Sequence, residues 1–247
     1  MKKLVSLLVA LMMLDCACAF AEDYAITSDS AFRPFEFKDE TGTYIGIDVD
    51  ILAAIAEDQG FTYTIEFLGW DASIIACQSG QKDGMIAGAS ITDARKESGW
   101  IFSDGYYTAT QSMAVAEDSD IDSFEDLAGL SVAVKTATMS ADYAASLAAQ
   151  YGFDVMYLET SPDIYNAVMS GQAVACFDDT PIMADYIKTY DNVKLKIVPG
   201  SENEGAEYGF AVFSPDKQEL IDKFNAGLAH IKENGIYDQI IAKYLGE

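Results

Sequence analysis

The chain has 247 residues, half of them hydrophobic, and carries 40 acidic against 15 lysine and arginine side chains, which gives a formal net charge of −25 at pH 7. So acidic a protein repels phosphate backbones, and no lysine or arginine cluster offsets the charge locally, so nucleic acid is not an expected partner. The length lies near the size at which one core divides into two, so we expect two lobes.

The first 21 residues have the features of a secretory signal peptide. Lys2 and Lys3 precede an apolar run at 4–14, and a small-x-small pattern follows at 19–21. The run is too short for a membrane anchor, which takes about 20 residues. We therefore expect a mature protein that starts near Glu22 and works in the periplasm or outside the cell.

The four cysteines favour neither a lipid anchor nor a disulfide. Asp15 directly precedes Cys16 and lies three residues before Cys18, and neither context is typical of lipidation. Cys77 and Cys176 remain after processing, and nothing in the sequence brings their Cα atoms within the ~7 Å that a disulfide needs. We expect two small buried side chains.

Short β-rich runs alternate with helical patterns along the mature chain. The first half predicts strands at 24–28, 61–67 and 85–87, helices at 48–56 and 72–79, and a short helix that Thr92 caps. The helix at 48–56 has Asp48 as its acidic cap. This alternation predicts parallel sheets covered by helices.

The second half continues the same alternation. It predicts strands at 112–116, 131–134, 154–158, 173–177 and 208–213, and helices at 124–128, 140–151, 162–170, 181–190, 216–233 and 236–244. In the short helix at 124–128, Ser123 is the expected cap, with Asp126 three residues on. We interpret these elements as a second sheet with its own helices.

Polar residues follow four of the predicted strands. Asp29 comes after the first strand, and the segments 88–95, 135–140 and 178–180 come after three others. Because ligands of open α/β sheets bind beyond the carboxyl ends of the strands, we expect these segments to meet at one cleft.

The segment 88–95 has the residues for holding a carboxylate. Arg95 offers a planar fork of donors, and Ser90 adds a hydroxyl and a backbone N–H nearby. Asp29 and Asp179 could each receive an ammonium group if folding brings them near Arg95. Together these residues indicate an amino-acid site.

Six motifs in order along the mature chain resemble those of the polar amino-acid-binding proteins of bacterial ABC importers. They are Ser30–Phe37, Gly46–Asp50, Ser90–Lys96, Phe102–Tyr107, Val132–Lys135 and Asp179–Pro181. The chain is most similar to the glutamine-binding members, which also carry a lysine at the position of Lys135. The resemblance implies that the protein is a monomer that captures a free amino acid and delivers it to the permease of an ABC transporter in the membrane.

The same resemblance implies a two-lobed fold of the periplasmic-binding-protein type II class, with two mixed sheets flanked by helices. The first lobe would comprise residues 22–106 and 209–247, and the second would comprise 110–205. Hinge segments at 107–109 and 206–208 would join them, and hinge closure would bury the ligand between the lobes.

The resemblance also assigns roles to single residues. Arg95 would grip the α-carboxylate, with help from the N–H of Ser90 and from an N–H of the turn near Thr138 or Met139. These donors suit a carboxylate because each can point at one of its two oxygens. Every free amino acid has an α-carboxylate, so these residues would contribute to affinity for all amino acids and not to the choice among them.

The α-ammonium and the aliphatic part of the ligand have their own expected partners. Asp179, the Ser90 hydroxyl and the Gly88 carbonyl would receive the ammonium. Phe32 and Trp70 would sandwich the aliphatic part, since two stiff rings gain apolar contact at little cost in entropy.

Asp29 and Lys135 would read the tip of the ligand side chain, because an acceptor and a donor together suit an amide. Three departures from the glutamine-binding members bear on specificity. Met139 replaces a glycine, Asp178 replaces a histidine, and Arg33 occupies a position that is usually small or apolar. If Asp178 faces the ligand, a basic amino acid such as arginine, lysine or ornithine becomes the alternative.

Two other functions on the same fold are alternatives. Relatives of this fold act as dehydratases on cyclic amino-acid precursors, and Asp29 or Asp178 could serve as an acid. However, His230, the one histidine, lies in a predicted terminal helix away from the strand ends, and no metal-ligand cluster is evident. We therefore expect a binding protein without a cofactor, and a sensor module differs from it only in its partner.

Overall fold

The computed structural model of the protein describes residues 23–246, so the predicted signal peptide and the cysteines at 16 and 18 lie outside the described part. The strands are β1 Asp23–Ser28, β2 Phe37–Lys38, β3 Tyr44–Ile45, β4 Thr62–Phe67, β5 Gly84–Met85, β6 Ile101–Phe102, β7 Tyr107–Ala109, β8 Gln111–Ala116, β9 Ser131–Lys135, β10 Asp154–Leu158, β11 Ala175–Asp179, β12 Leu195–Ile197, β13 Ala206–Tyr208 and β14 Ala211–Val212.

The helices are α1 Ile47–Gln59, α2 Trp70–Gln78, α3 Asp93–Glu97, α4 Met139–Tyr151, α5 Ser161–Met169, α6 Thr180–Thr189, α7 Gln218–Glu233 and α8 Ile236–Leu245. Two short 3-10 turns lie at Glu125–Leu127 and Pro215–Lys217. Among the described helices, none is long and apolar enough to cross a membrane.

The first lobe is built on a five-stranded sheet in the order β4-β1-β5-β14-β6. Strand β1 pairs in parallel with β4 and β5, whereas β14 is antiparallel to both β5 and β6. Helices α1, α7 and α8 pack together beside this sheet. Their apolar faces form one core with the sheet, and Ile51, Phe210 and Phe224 are fully buried in it.

The second lobe is built on a five-stranded sheet in the order β10-β9-β11-β8-β12. Successive residues of its central strand β9 face opposite sides, so Val132 and Val134 join one core and Ala133 joins another. Apolar side chains cover both faces of β9, and Lys135, at its carboxyl end, is buried as well.

Both sheets are mixed, as the family resemblance implies, and not parallel, as the alternation of elements alone predicts. Strand β8 runs antiparallel to β11 and β12, and β14 runs antiparallel to its neighbours. The reason is connectivity, since β8 and β14 enter their sheets directly after a passage between the lobes, without a crossover helix. The two-lobed class is confirmed.

The predicted strand at 208–213 is wrong in its extent. Tyr208 ends β13, which pairs antiparallel with β7, and the chain then enters the first sheet as β14. Between them the N–H of Gly209 donates to the carbonyl of Ala89 at 2.9 Å. The expected hinge segments 107–109 and 206–208 coincide with β7 and β13, while the lobe boundaries and the hinge motion stay predictions.

Two predicted helix caps differ from the structure. Helix α1 has Gly46 as its N-cap without a side-chain hydrogen bond, and Asp48 is buried in its first turn. The predicted helix at 124–128 is only a 3-10 turn, and Ser123 donates its hydroxyl to Asp126 at 2.7 Å. The prediction for the cysteines is confirmed, because Cys77 and Cys176 are both free and buried.

Candidate functional site

A narrow cleft lies between the two lobes, where the carboxyl ends of β1, β5, β9 and β11 meet. Its lining comprises Phe32, Trp70, Ala87, Gly88, Ser90, Arg95, Lys135, Thr138, Met139, Asp178 and Asp179. Ten of the eleven predicted ligand-binding residues are in this lining, and Asp29 is the one that is not. Their convergence is a finding, while their roles towards a ligand remain predictions.

Arg95 lies at the mouth of the cleft on the short helix α3. The helix begins at Asp93 because the hydroxyl of Thr92 accepts the N–H of Arg95 at 3.2 Å, as the sequence predicts. The guanidinium donates to the carbonyl of Ser90 at 2.8 Å and lies 5.1 Å from the ring centre of Trp70. Burial lowers the pKa of Arg95 from its usual range, yet the group stays cationic, since its ordinary value is so high.

The carbonyl of Ala137 joins the two lobes beside Arg95. It accepts the indole N–H of Trp70 at 3.1 Å and a guanidinium N–H of Arg95 at 3.2 Å, both from the first lobe. Ala137 has a φ of 57°, the left-handed region that an alanine rarely adopts. Such backbone strain is found where function depends on the direction of a peptide group.

Lys135 and Asp29 form an ion pair across the cleft, and each is only 2 % exposed. The second carboxylate oxygen of Asp29 accepts the N–H of Ser30 at 2.6 Å. Burial alone would lower the pKa of Lys135, but the charge and hydrogen bond of Asp29 outweigh it, so that pKa is raised. Lys135 is therefore held as a cation that faces Asp29, with its ammonium 4.8 Å from the ring centre of Phe32.

Asp179 ends strand β11 and is held from three directions. Gln111 and Tyr208 donate to it at 2.5 Å each, and Ser140 donates at 3.3 Å. Burial raises the pKa of Asp179, although these three donors act against the rise. Because the carboxylate already has its own donors, it is fixed in one orientation at the cleft wall.

Asp178 also lines the cleft, although its carboxylate is engaged with the second lobe. The hydroxyl of Tyr165 donates to it at 2.7 Å, and the N–H of Asp179 donates at 2.9 Å. Burial, and next the charge of Asp179, raise the pKa of Asp178 to about 6. The sequence leaves open whether Asp178 faces the ligand, and the structure puts it at the cleft with both oxygens already hydrogen-bonded.

Helix α4 starts at the cleft and directs its first turn towards it. Thr138 is the N-cap, and its hydroxyl accepts the N–H of Ala141 at 3.1 Å. The first N–H groups of a helix have no acceptor within the helix, so those that follow Thr138 are suited to an anion. Met139, the first residue of the helix, lines the cleft beside them.

Gly88 is at the floor of the cleft in a conformation that a larger residue would not adopt easily. Its φ is 55°, and an added Cβ would lie 2.4 Å from Cε1 of Phe32. We expect Gly88→Ala to destabilise the protein by about 2–5 kcal/mol, of which the left-handed backbone supplies ~1–2 and the overpacking ~1–3.

Urea unfolding of Gly88→Ala against Gly60→Ala measures the effect. Gly60 has a φ of 69° but no atom within 4 Å of an added Cβ, so this control carries the backbone cost alone. Equal stabilities of the two variants would contradict the packing of Phe32 on Gly88.

Several residues of the site have no signal in the sequence. Gln111, Tyr165 and Tyr208 orient the two aspartates, but each is a single polar residue with no informative spacing. Arg33, one of the three departures, is not in the cleft lining and forms an ion pair with Asp185 of the second lobe at 2.6 Å. The roles of these residues become visible only in the folded structure, because each contacts a side chain from a distant part of the chain.

Comparison with known proteins gives a consistent result. The family model for bacterial extracellular solute-binding proteins, family 3, matches residues 24–247. The arginine-binding extracellular protein of Bacillus subtilis (strain 168) is 29 % identical over 213 residues, which are 86 % of this chain and 82 % of that protein.

Two solved structures extend the comparison to the fold. An ancestral arginine-binding protein bound to glutamine has a TM-score of 0.84 at 34 % identity, covering 91 % of this chain and 98 % of its own. An ancestral arginine-binding protein bound to arginine has a TM-score of 0.83 at 34 % identity, covering 90 % and 97 %. The named relatives are binding proteins, and both an amide and a guanidinium side chain occur among their ligands.

Proposed function

Because the chain belongs to the bacterial extracellular solute-binding proteins, family 3, we propose that it captures a free polar L-amino acid between its lobes, glutamine in preference, and delivers it to the permease of an ABC importer. Arg95 and the start of helix α4 bind the α-carboxylate in this proposal, and Asp179 binds the α-ammonium. Phe32 and Trp70 hold the aliphatic part of the side chain.

The observation that carries the preference for glutamine is the buried pair of Lys135 and Asp29. An amide is chemically complementary to this pair, because its oxygen can accept from the Lys135 ammonium and its NH₂ can donate to the Asp29 carboxylate. A guanidinium or ammonium tip would instead meet the Lys135 charge in a buried place, where repulsion between like charges is strong. A neutral, amide-bearing side chain therefore suits the pair best.

A basic amino acid is the second candidate, and one observation favours it. Two carboxylates, those of Asp178 and Asp179, line the cleft, and that of Asp29 lies behind it against Lys135, so three acidic groups face the two cations Arg95 and Lys135. A ligand with an additional positive charge would balance this set if Asp178 is ionised. The arginine-binding relatives point in the same direction.

Replacement of Lys135 with methionine separates the two candidates. The variant loses the donor for the amide and releases Asp29, so we expect glutamine affinity to fall about tenfold or more and arginine affinity to rise relative to it. Calorimetric titration of both ligands measures the ratio, and the exposed Lys188→Met in the same lobe is the control.

The relative affinities of the wild type for glutamine and arginine already distinguish the two candidate ligands. Tighter binding of arginine than of glutamine by the wild type, with little change in Lys135→Met, would assign the site to basic amino acids. Thermal unfolding of each variant is needed beside the titration, because Lys135→Met leaves the buried Asp29 charge without its partner.

A further inference from the structure

Two acidic side chains are buried behind the cleft, outside its lining. Glu36 and Asp48 are both fully inaccessible to solvent. Glu36 follows the turn that contains Phe32, and Asp48 lies in the first turn of helix α1. The N–H of Asp48 donates to the carbonyl of Phe35, the residue before Glu36, at 3.0 Å, so the two acidic residues are neighbours. Two neighbouring buried carboxyl groups do not both ionise readily, since each charge opposes the other.

The two side chains have fewer hydrogen-bond donors around them than two ionised carboxylates would need. Within residues 23–246, neither Oε1 nor Oε2 of Glu36 has a hydrogen-bond partner, and neither does Oδ1 of Asp48. Only Oδ2 of Asp48 is paired, since it accepts the N–H of Gly88 at 2.9 Å. Three buried carboxylate oxygens without a hydrogen-bond donor would destabilise the fold. A proton on one of the two carboxyl groups supplies the missing donor in the simplest way.

The charges around Glu36 favour the protonated form there. Burial, and then the charges of Asp48 and Asp29, raise the pKa of Glu36 well above its usual range, and Lys135 opposes them only in part. Burial raises the pKa of Asp48 to about 6, and the N–H of Gly88 and the neighbouring Tyr106 and Glu36 act against the rise. Tyr44 and Tyr106 are the other titratable groups that these carboxyls influence.

We propose that Glu36 is held as the neutral acid and donates a hydrogen bond to the Asp48 carboxylate, so that the pair carries one negative charge and fixes the Gly88 peptide at the floor of the cleft. Asp48 and Glu36 are then positioning residues for ligand binding. Tyr106 supports the arrangement, because its hydroxyl oxygen also accepts the N–H of Gly88 at 3.2 Å. The effect on binding rests on the proposed function, whereas the shared proton does not.

Infrared difference spectra of the ligand-free protein test the shared proton. At pH 7 the spectrum of wild type minus Glu36→Gln is expected to contain the C=O band of a protonated carboxyl. Asp48→Asn is expected to keep this band at a shifted frequency, because burial still holds Glu36 as the neutral acid while its neighbour changes from a carboxylate to an amide. Wild-type spectra without any such band would overturn the proposal.

Hydrogen exchange at the Gly88 amide tests the positioning. Asp48→Asn keeps an oxygen that accepts this N–H, so its protection is expected to stay within about threefold of wild type, whereas Asp48→Ala is expected to lose about tenfold or more. Glutamine affinity should fall in Asp48→Ala and stay within about threefold in Glu36→Gln, whose NH₂ replaces the acid proton.

Two results would count against the positioning role. Unchanged Gly88 protection in a folded Asp48→Ala would remove it, and so would a loss of protection in Glu36→Gln equal to that in Asp48→Ala. If the wild type binds no amino acid, the spectra and the exchange rates still decide the inference, so its failure is distinct from failure of the proposed function.

Discussion

Arg95→Ala is expected to weaken the binding of every amino acid by about a hundredfold or more. Each ligand presents the same α-carboxylate, and loss of one partner of a buried charged pair typically costs about 3–5 kcal/mol. The guanidinium is directed by the Ser90 and Ala137 carbonyls, so its remaining donors are already oriented before a ligand arrives. Calorimetry with glutamine and with arginine measures the loss for two different side chains.

The matched control for this prediction is Lys96→Ala. Lys96 is the neighbour of Arg95 on helix α3 but is exposed, with Asp93 as a distant ion-pair partner at 3.7 Å. Its removal changes the protein charge by the same amount and should leave both affinities within about twofold. Equal, small effects of the two substitutions would mean that Arg95 does not contact the ligand.

Asp179→Asn is expected to weaken binding of all amino acids by about tenfold to a hundredfold. A charged hydrogen bond contributes about 1.5–3 kcal/mol, and the amide that replaces the carboxylate has no net charge for the ligand ammonium. The shape of the side chain is retained, but Gln111 and Tyr208 donate to different oxygens of Asp179, so one of them loses its acceptor when the NH₂ of asparagine replaces that oxygen. The measurement is again calorimetry with glutamine and arginine.

Asp142→Asn serves as the control for Asp179→Asn. Asp142 also acts on Arg95 through its charge, but it is exposed on helix α4, where solvent screens it. We expect its affinities to remain close to those of the wild type. A fall of the same size in both variants would attribute the effect to general charge, and would contradict a direct contact between Asp179 and the ammonium.

The cleft could be predicted because its residues follow strands in the sequence. Asp29 comes directly after β1, Lys135 ends β9, and Asp179 ends β11, so hydrophobic runs locate all three. The carboxyl ends of such strands share one edge of a sheet, which is a consequence of topology and not of residue identity. The motif at 88–95 then adds Arg95 with the right chemistry.

The supporting residues could not be predicted, because their partners lie far away in the chain. Tyr208 donates to Asp179 across the passage between lobes, and Gln111 reaches the same carboxylate from β8. Asp48 is a residue whose role was predicted wrongly for the same reason. It has the residue type and place of a helix cap, but tertiary packing buries it and gives it the N–H of Gly88 instead.

The mixed sheets and the division at Gly209 have a similar origin. Periodicity indicates that a run forms a strand, but the direction of its neighbours depends on the path of the chain between the lobes. The predicted strand at 208–213 spans two different sheets, since Tyr208 ends β13 beside β7 and the chain then continues as β14. The family resemblance supplied the mixed topology that the run pattern alone did not.

The most direct test of the account is a calorimetric titration of the wild-type protein, refolded from denaturant to remove any co-purified ligand, with L-glutamine, L-arginine and D-glutamine. The account predicts saturable one-site binding of L-glutamine, weaker binding of L-arginine, and little binding of D-glutamine, whose ammonium and carboxylate would not meet Asp179 and Arg95 together. Absence of binding by any free amino acid would contradict it.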